Sequence, residues 1–126
     1  MDYEVIEHTA FASRWRKRSD EAALEELRRE LVAQPDAGAP IPGCGVLRKL
    51  RVADPSRQKG KRGGLRVIYL HTAEAKRIRL LTVYGKDEKD DLSRDEVRAL
   101  CSAARVVRQA DQEWARRQKP GKGETR

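Results

Sequence analysis

The chain has little cysteine, histidine or methionine: two, two and one residues among 126. Cys44 and Cys101 lie far apart in the sequence with no histidine beside either, so neither a disulfide framework nor a zinc site is expected, and no metal or other cofactor is implied. A reducing cytoplasm is the expected location. No run of about 18 apolar residues occurs, which excludes a membrane-spanning helix. The segment Met1 to Glu7 carries Asp2 and Glu4 instead of a basic stretch followed by an apolar one, so secretion is not expected. Hydrophobic residues supply only 38% of the chain, while charged residues supply another 38% against the usual quarter or so. A compact core under a densely charged surface follows, and the length suits one domain.

The net charge of +8 is unevenly placed. Between Gly43 and Tyr69 stand Arg48, Lys49, Arg51, Arg57, Lys59, Lys61, Arg62 and Arg66, opposed by Asp54 alone. Asp20 to Gln34 is acidic, as is Lys86 to Glu96, and a further basic zone begins at Arg98. Cations crowded into a strand-forming stretch repel one another, and binding phosphate is the reading that tolerates this.

The periodicities predict a small α+β domain of order β-α-α-β-β-β-α, a mainly antiparallel sheet with helices packed on one face. Tyr3–His8 reads as a short strand. Thr9 is the expected cap of a helix to about Arg18, with Phe11 and Trp15 on one side. Ser19 or Asp20 caps the next, to about Ala33, whose Leu24, Leu27 and Leu31 form an apolar stripe. Pro35–Gly45 reads as a loop. Val46–Ala53, Gly64–His71 and Arg77–Tyr84 form an antiparallel meander. Ser93-Arg94-Asp95-Glu96 is a capping box that opens a helix ending before Pro120. Residues 1–118 form the domain, and the basic tail 119–126 is expected to be disordered.

Three strings carry a family resemblance. Ile41-Pro42-Gly43-Cys44-Gly45-Val46-Leu47-Arg48-Lys49-Leu50-Arg51 resembles the I-P-G-T-G-G-L-R-K-L-R signature of RelE/HigB-type toxins of bacterial toxin–antitoxin pairs. Gly63-Gly64-Leu65-Arg66-Val67-Ile68-Tyr69 is similar to their G-G-x-R-V-I-Y, and the segment Leu80 to Ser93 to their L-L-x-V-Y-x-K-x-E-K-x-D-L-S. Cys44 stands where the family often has Thr, and Val46 where it often has Gly. The resemblance implies the same β-α-α-β-β-β-α fold and a metal-independent, ribosome-dependent mRNA endonuclease. It also implies a cognate antitoxin partner, commonly a helix-turn-helix DNA-binding protein.

Cleaving RNA without a metal requires a base for the 2′-hydroxyl proton, cations for the developing charge and an acid for the leaving oxygen. Lys49 and Arg51, two apart on one strand, share a face and are placed to bracket a phosphate. Arg66 interrupts an otherwise apolar strand and calls for a pocket or a partner. Tyr84, Lys86 and Lys89 complete the expected catalytic set, against a plainer reading of Lys86 and Lys89 as locally paired with Asp87, Glu88, Asp90 and Asp91. Arg48, Arg57, Lys59, Lys61 and Arg62 are expected to contact RNA phosphates. Alternation puts His71 on the side opposite Arg66, and His8 is terminal, so neither is the expected base. Trp15, Trp114 and Cys101 read as core. Two rivals keep the fold: a ParE-like DNA gyrase poison, and a non-catalytic RNA- or ribosome-binding module.

Overall fold

The computed structural model describes residues 2–54 and 64–118. The expected contacts Arg57, Lys59, Lys61 and Arg62, and the tail 119–126, lie outside the described residues. Chain order is β1 (Glu4–Glu7), α1 (Thr9–Arg18), α2 (Glu21–Ala33), β2 (Ala39–Ile41), β3 (Cys44–Val52), β4 (Leu65–Thr72), a 3-10 turn at Ala73–Ala75, β5 (Arg77–Gly85) and α3 (Arg94–Gln118). The sheet order is β1-β5-β4-β3-β2. Strands β3, β4 and β5 form the antiparallel meander, and β1 joins β5 in parallel.

Local chemistry explains the boundaries. Asp20 caps α2, its side chain accepting from the Ala23 amide at 2.8 Å. Thr9 is the first helical residue of α1 and not its cap; His8 holds that position without a side-chain bond. The segment 35–45 contains a strand that its prolines and glycines concealed. Ala39 and Pro40 pair with Lys49 and Arg48, and Ile41 with Cys44. Pro40 lacks an amide hydrogen, which an edge strand tolerates. Pro42 and Gly43 then reverse the chain: proline supplies its fixed φ, and Gly43 takes φ 87°, as a type II turn demands.

The helices lie on both faces of the sheet, which corrects the expectation that they share one. Helices α1 and α2 bury Phe11, Trp15, Leu24, Leu27 and Leu31 against Leu50, Val67, Tyr69 and Leu80. Helix α3 covers the other face, setting Cys101 and Ala104 on Leu47, Ile68, Leu70 and Leu81. The cause is β4, which from Leu65 to Leu70 is apolar toward both sides apart from Arg66 and so needs cover on both.

Two features pin α3 down. Cys44, at the start of β3, is disulfide-bonded to Cys101 of α3, and both are buried. This corrects the reading of two separate cysteines and removes their argument for a reducing compartment. Further along, buried Asp111 accepts from Arg79 (Nε and Nη2, each 2.9 Å) and from Arg77 (Nη1, 2.9 Å). The Arg77 guanidinium lies 3.9 Å from the Trp114 ring centroid, so Trp114 is the half-buried floor of a cation–π contact and not a core residue. Trp15 is core as expected. Among the described residues, no helix is long and apolar enough to cross a membrane.

Candidate active site

Strand parity assembles the site. Lys49 and Arg51 share a face of β3 with Leu47, and the β3–β4 register sets Arg51 opposite Arg66 and Lys49 opposite Ile68. The β4–β5 register sets Arg66 opposite Tyr84. All therefore belong to the α3 face of the sheet. Helix α3 covers that face over Leu47, Ile68 and Leu70, and leaves the neighbouring end to a loop and a cleft that Lys49 and Tyr84 line, with Arg66 buried and outside that lining.

The cleft has a volume of about 570 Å³. One wall is the Ile41–Gly43 turn and another is the start of α3, with Arg94, Val97 and Arg98; Lys49, Tyr84, Asp91 and Leu92 line the rest. The capping box forms as its sequence predicts: the Glu96 amide donates to Ser93 Oγ at 3.1 Å and the Ser93 amide to Glu96 Oε1 at 2.8 Å. It fixes the point where the loop after β5 enters α3, and with it the place of Asp91.

Asp91 is the residue that sequence reasoning undervalued. Lys49 Nζ donates to its Oδ1 at 2.7 Å, and the carboxylate is well exposed. That hydrogen bond and the Lys49 charge, with smaller contributions from Arg66 and Arg51, hold the Asp91 carboxyl below its usual pKa. One carboxylate thus feels three cations from two strands, as an RNA phosphate oxygen in that position would. The Tyr84 ring is buried, and its hydroxyl has no well-formed hydrogen bond among the described residues. Burial first, then the Asp91 charge, pushes the phenol pKa up against an opposing pull from Arg66, so the phenol stays protonated at neutral pH.

The other expected residues are less convergent. Arg51 is exposed at the open edge of β3 and borders a second groove, beside Trp15, Leu27 and Glu30. Lys89 donates to Glu96 at 2.6 Å, with its ammonium 5.6 Å from the Tyr84 ring centroid. Lys86 is exposed and does not line the cleft. Arg48 lies on the opposite face, donating to the Gly38 carbonyl at 2.5 Å and paired with Asp36. Asp87, Glu88 and Asp91 pair with cations outside their own segment, which differs from the plainer reading. Arg18 takes Asp87 and Glu88, Arg14 takes Glu88, and Lys49 takes Asp91. His71 faces away from Arg66 as expected, with Nδ1 at 2.8 Å from Asp36 and Nε2 at 2.9 Å from the Tyr3 hydroxyl. Among the described residues, no three His, Cys, Asp or Glu side chains form a metal-binding group.

The architecture is thus a small α+β domain whose sheet presents a cation-rolled end beside a cleft. No protein-family model matches the chain. Among solved structures it is similar to the isolated RelE toxin of E. coli, at 19% identity and TM-score 0.46 over 80% of this chain and 98% of that one. It is also similar to a mutant of that toxin bound to a RelBc antitoxin peptide, at 20% identity and TM-score 0.49 over 79% of this chain and 93% of that one.

Proposed function

We propose that the protein is the toxin of a toxin–antitoxin pair, a metal-independent endonuclease that cuts messenger RNA at the ribosome and so inhibits translation. The observation that carries this reading is the open cleft where Lys49 and Tyr84 meet one exposed carboxylate, Asp91, with Arg66 buried beside Tyr84 on the same face of the sheet and Arg51 at its edge. The three motifs that resemble RelE/HigB-type toxins support it from the sequence side.

In this reading the substrate phosphate displaces Asp91 from Lys49. Lys49, Arg51 and Arg66 hold the linkage and offset the charge that develops on its oxygens. The 2′-hydroxyl attacks the adjacent phosphorus, giving up its proton to a base. The new 2′-oxygen–phosphorus bond makes a cyclic phosphate as the bond to the 5′-oxygen breaks, and that oxygen leaves with a proton. The protonated Tyr84 phenol suits the donor role. The base comes from Lys49, Lys86 and Lys89, of which Lys49 alone lines the cleft. Acting on messenger RNA places the protein in the cytoplasm, on the ground of its substrate and not of its cysteines. The partner that silences it is a cognate antitoxin of the helix-turn-helix DNA-binding kind.

The test is cleavage of a transcript on programmed ribosomes, with and without a chelator, by wild type and by Lys49→Ala, Arg51→Ala, Arg66→Ala and Lys86→Ala. The expected result is cleavage that survives chelation and falls in Lys49→Ala and Arg66→Ala while ribosome binding persists. Intact transcripts with wild-type protein would overturn the enzyme reading. Gyrase-dependent DNA breaks in the same extract would replace it with the ParE-like one.

A further inference from the structure

The proposed site uses α3 only at its first turn, yet the helix carries a second organised feature. Arg98, Arg105 and Arg116 fall within about 20° of one another around an axis of 3.6 residues per turn, with Arg94 within about 40° and Arg108 about 60–80° away toward the sheet. They run along the shoulder of α3 that overlooks β3, next to the buried line of Cys101, Ala104, Asp111 and Ala115. Beyond the cleft, Arg105, Arg108 and Arg116 join Val46, Gln109 and Gln112 around a shallow groove of about 480 Å³. Arg94 and Arg98 already line the cleft, so the ridge starts where the cleft ends. From Arg98 to Arg116 it extends about 27 Å at 1.5 Å per residue.

This ridge keeps its charge. Between Arg98 and Gln112 the helix has one acid, Asp111, which is buried and committed to Arg77 and Arg79. Arg98 and Arg116 pair with Asp95 and Glu113 one turn away, but these pairs are exposed and easily exchanged for another anion. Glu74 accepts from Gln112 and lies beside Arg108, bounding the ridge on its sheet side.

We propose that the arginine ridge of α3 is a track for single-stranded RNA, holding the phosphodiester backbone of the strand that passes through the cleft. The occupant follows from the chemistry. Guanidiniums repeated along one side of a helix match an anion repeated along a chain. Val46 is the groove's one apolar lining residue, so it offers no seat for an amphipathic helix. The exposed Val106 lies about 100° around the helix from the ridge, so no apolar face accompanies the cations as membrane insertion requires. Glutamine amides among the arginines can also bond sugar hydroxyls and phosphates. The track rests on the proposed reading for its link to the cleft, but its binding can be measured without cleavage.

The test uses the whole protein and a fluorescent 12-nucleotide RNA made uncleavable by 2′-O-methyl groups. Affinity is read by anisotropy between 50 and 300 mM salt, for wild type, for the Arg105→Gln/Arg108→Gln double variant and for the corresponding double lysine variant, all of confirmed melting temperature. Losing two phosphate contacts should make the salt slope shallower by about 1.4 and weaken binding roughly tenfold at low salt. Lysines should restore the slope, and a methylated dinucleotide, too short to reach from the cleft to Arg105 and Arg108, should bind all three alike. An unchanged affinity and slope for the 12-mer would overturn the proposal. So would an equal loss for the dinucleotide, or for polyglutamate, which would mark general stickiness. If no protein cleaves RNA but the glutamine variant still loses the 12-mer, the nuclease reading falls and the track stands. If the glutamine variant binds normally while Lys49→Ala abolishes cleavage, the reverse holds.

Discussion

Replacing Asp111 by alanine should cost the protein about 3 kcal/mol of stability at neutral pH. The carboxylate is almost wholly buried and accepts three bonds of 2.9 Å from Arg77 and Arg79. Removing one partner of a buried ion pair costs about 3–5 kcal/mol, because the other partner is left desolvated. Both guanidiniums keep some contact with water, and Arg77 also has the Trp114 ring, which puts the cost at the lower end of that range. For a domain of this size 1 kcal/mol corresponds to about 4 °C, so the melting temperature should fall by about 12 °C. The pH dependence gives the sharper test. Burial by itself would raise the Asp111 pKa, but the bonds from Arg79 and Arg77 outweigh it and hold the carboxyl below its usual value. A group depressed in this way stabilises the fold above its unfolded pKa of about 3.9 and loses that effect as pH falls through the folded value. Thermal melts followed by circular dichroism from pH 7 to pH 2 should therefore show wild type and variant converging at the acid end. A variant within about 1 °C of wild type at pH 7, or a gap that stays constant through the acid range, would refute the argument.

Three further outcomes can be checked on the same material. Reducing the Cys44–Cys101 bond, which closes a loop of 57 residues, should lower stability by about 4 kcal/mol at most on the chain-entropy account; urea unfolding with and without reductant measures it, and a Cys44→Ser/Cys101→Ser variant should match the reduced protein. Asp91→Asn should leave the urea midpoint nearly unchanged, since an exposed pair contributes below about 1 kcal/mol, yet bind inorganic phosphate more tightly by calorimetry; weaker binding would mean that Asp91 does not stand where phosphate goes. Ser93→Ala removes the hydroxyl that accepts from the Glu96 amide and should cost about 1 kcal/mol in the same urea assay.

What could be read from the chain in advance follows from which regularities are local. A strand's period of two assigns each side chain to a face without any knowledge of its neighbours, so Lys49 and Arg51 were readable as one face of β3 and His71 as opposite to Arg66 on β4. The register was needed to show that Arg66 shares the Lys49 face. Parity says nothing of lateral position. Arg51 shares its face with Lys49, yet it stands at the open edge of β3 and borders the second groove. A helical stripe likewise tells that a face is buried but not against which side of the sheet, which is why α3 was misplaced. The Ala39–Ile41 strand was hidden because proline and glycine, which build its edge and its turn, are also the residues that mark loops. Contacts between distant positions were beyond reach altogether. Cys44 meets Cys101, Lys49 meets Asp91, and Arg77 and Arg79 meet Asp111, each across more than 30 residues. For the charged pairs the prior was misleading as well, since an isolated aspartate on a helix rich in arginine reads as surface. Asp111 is buried because two arginines from β5 reach it, and that clamp holds the far half of α3 on the sheet while its first turn forms a wall of the cleft.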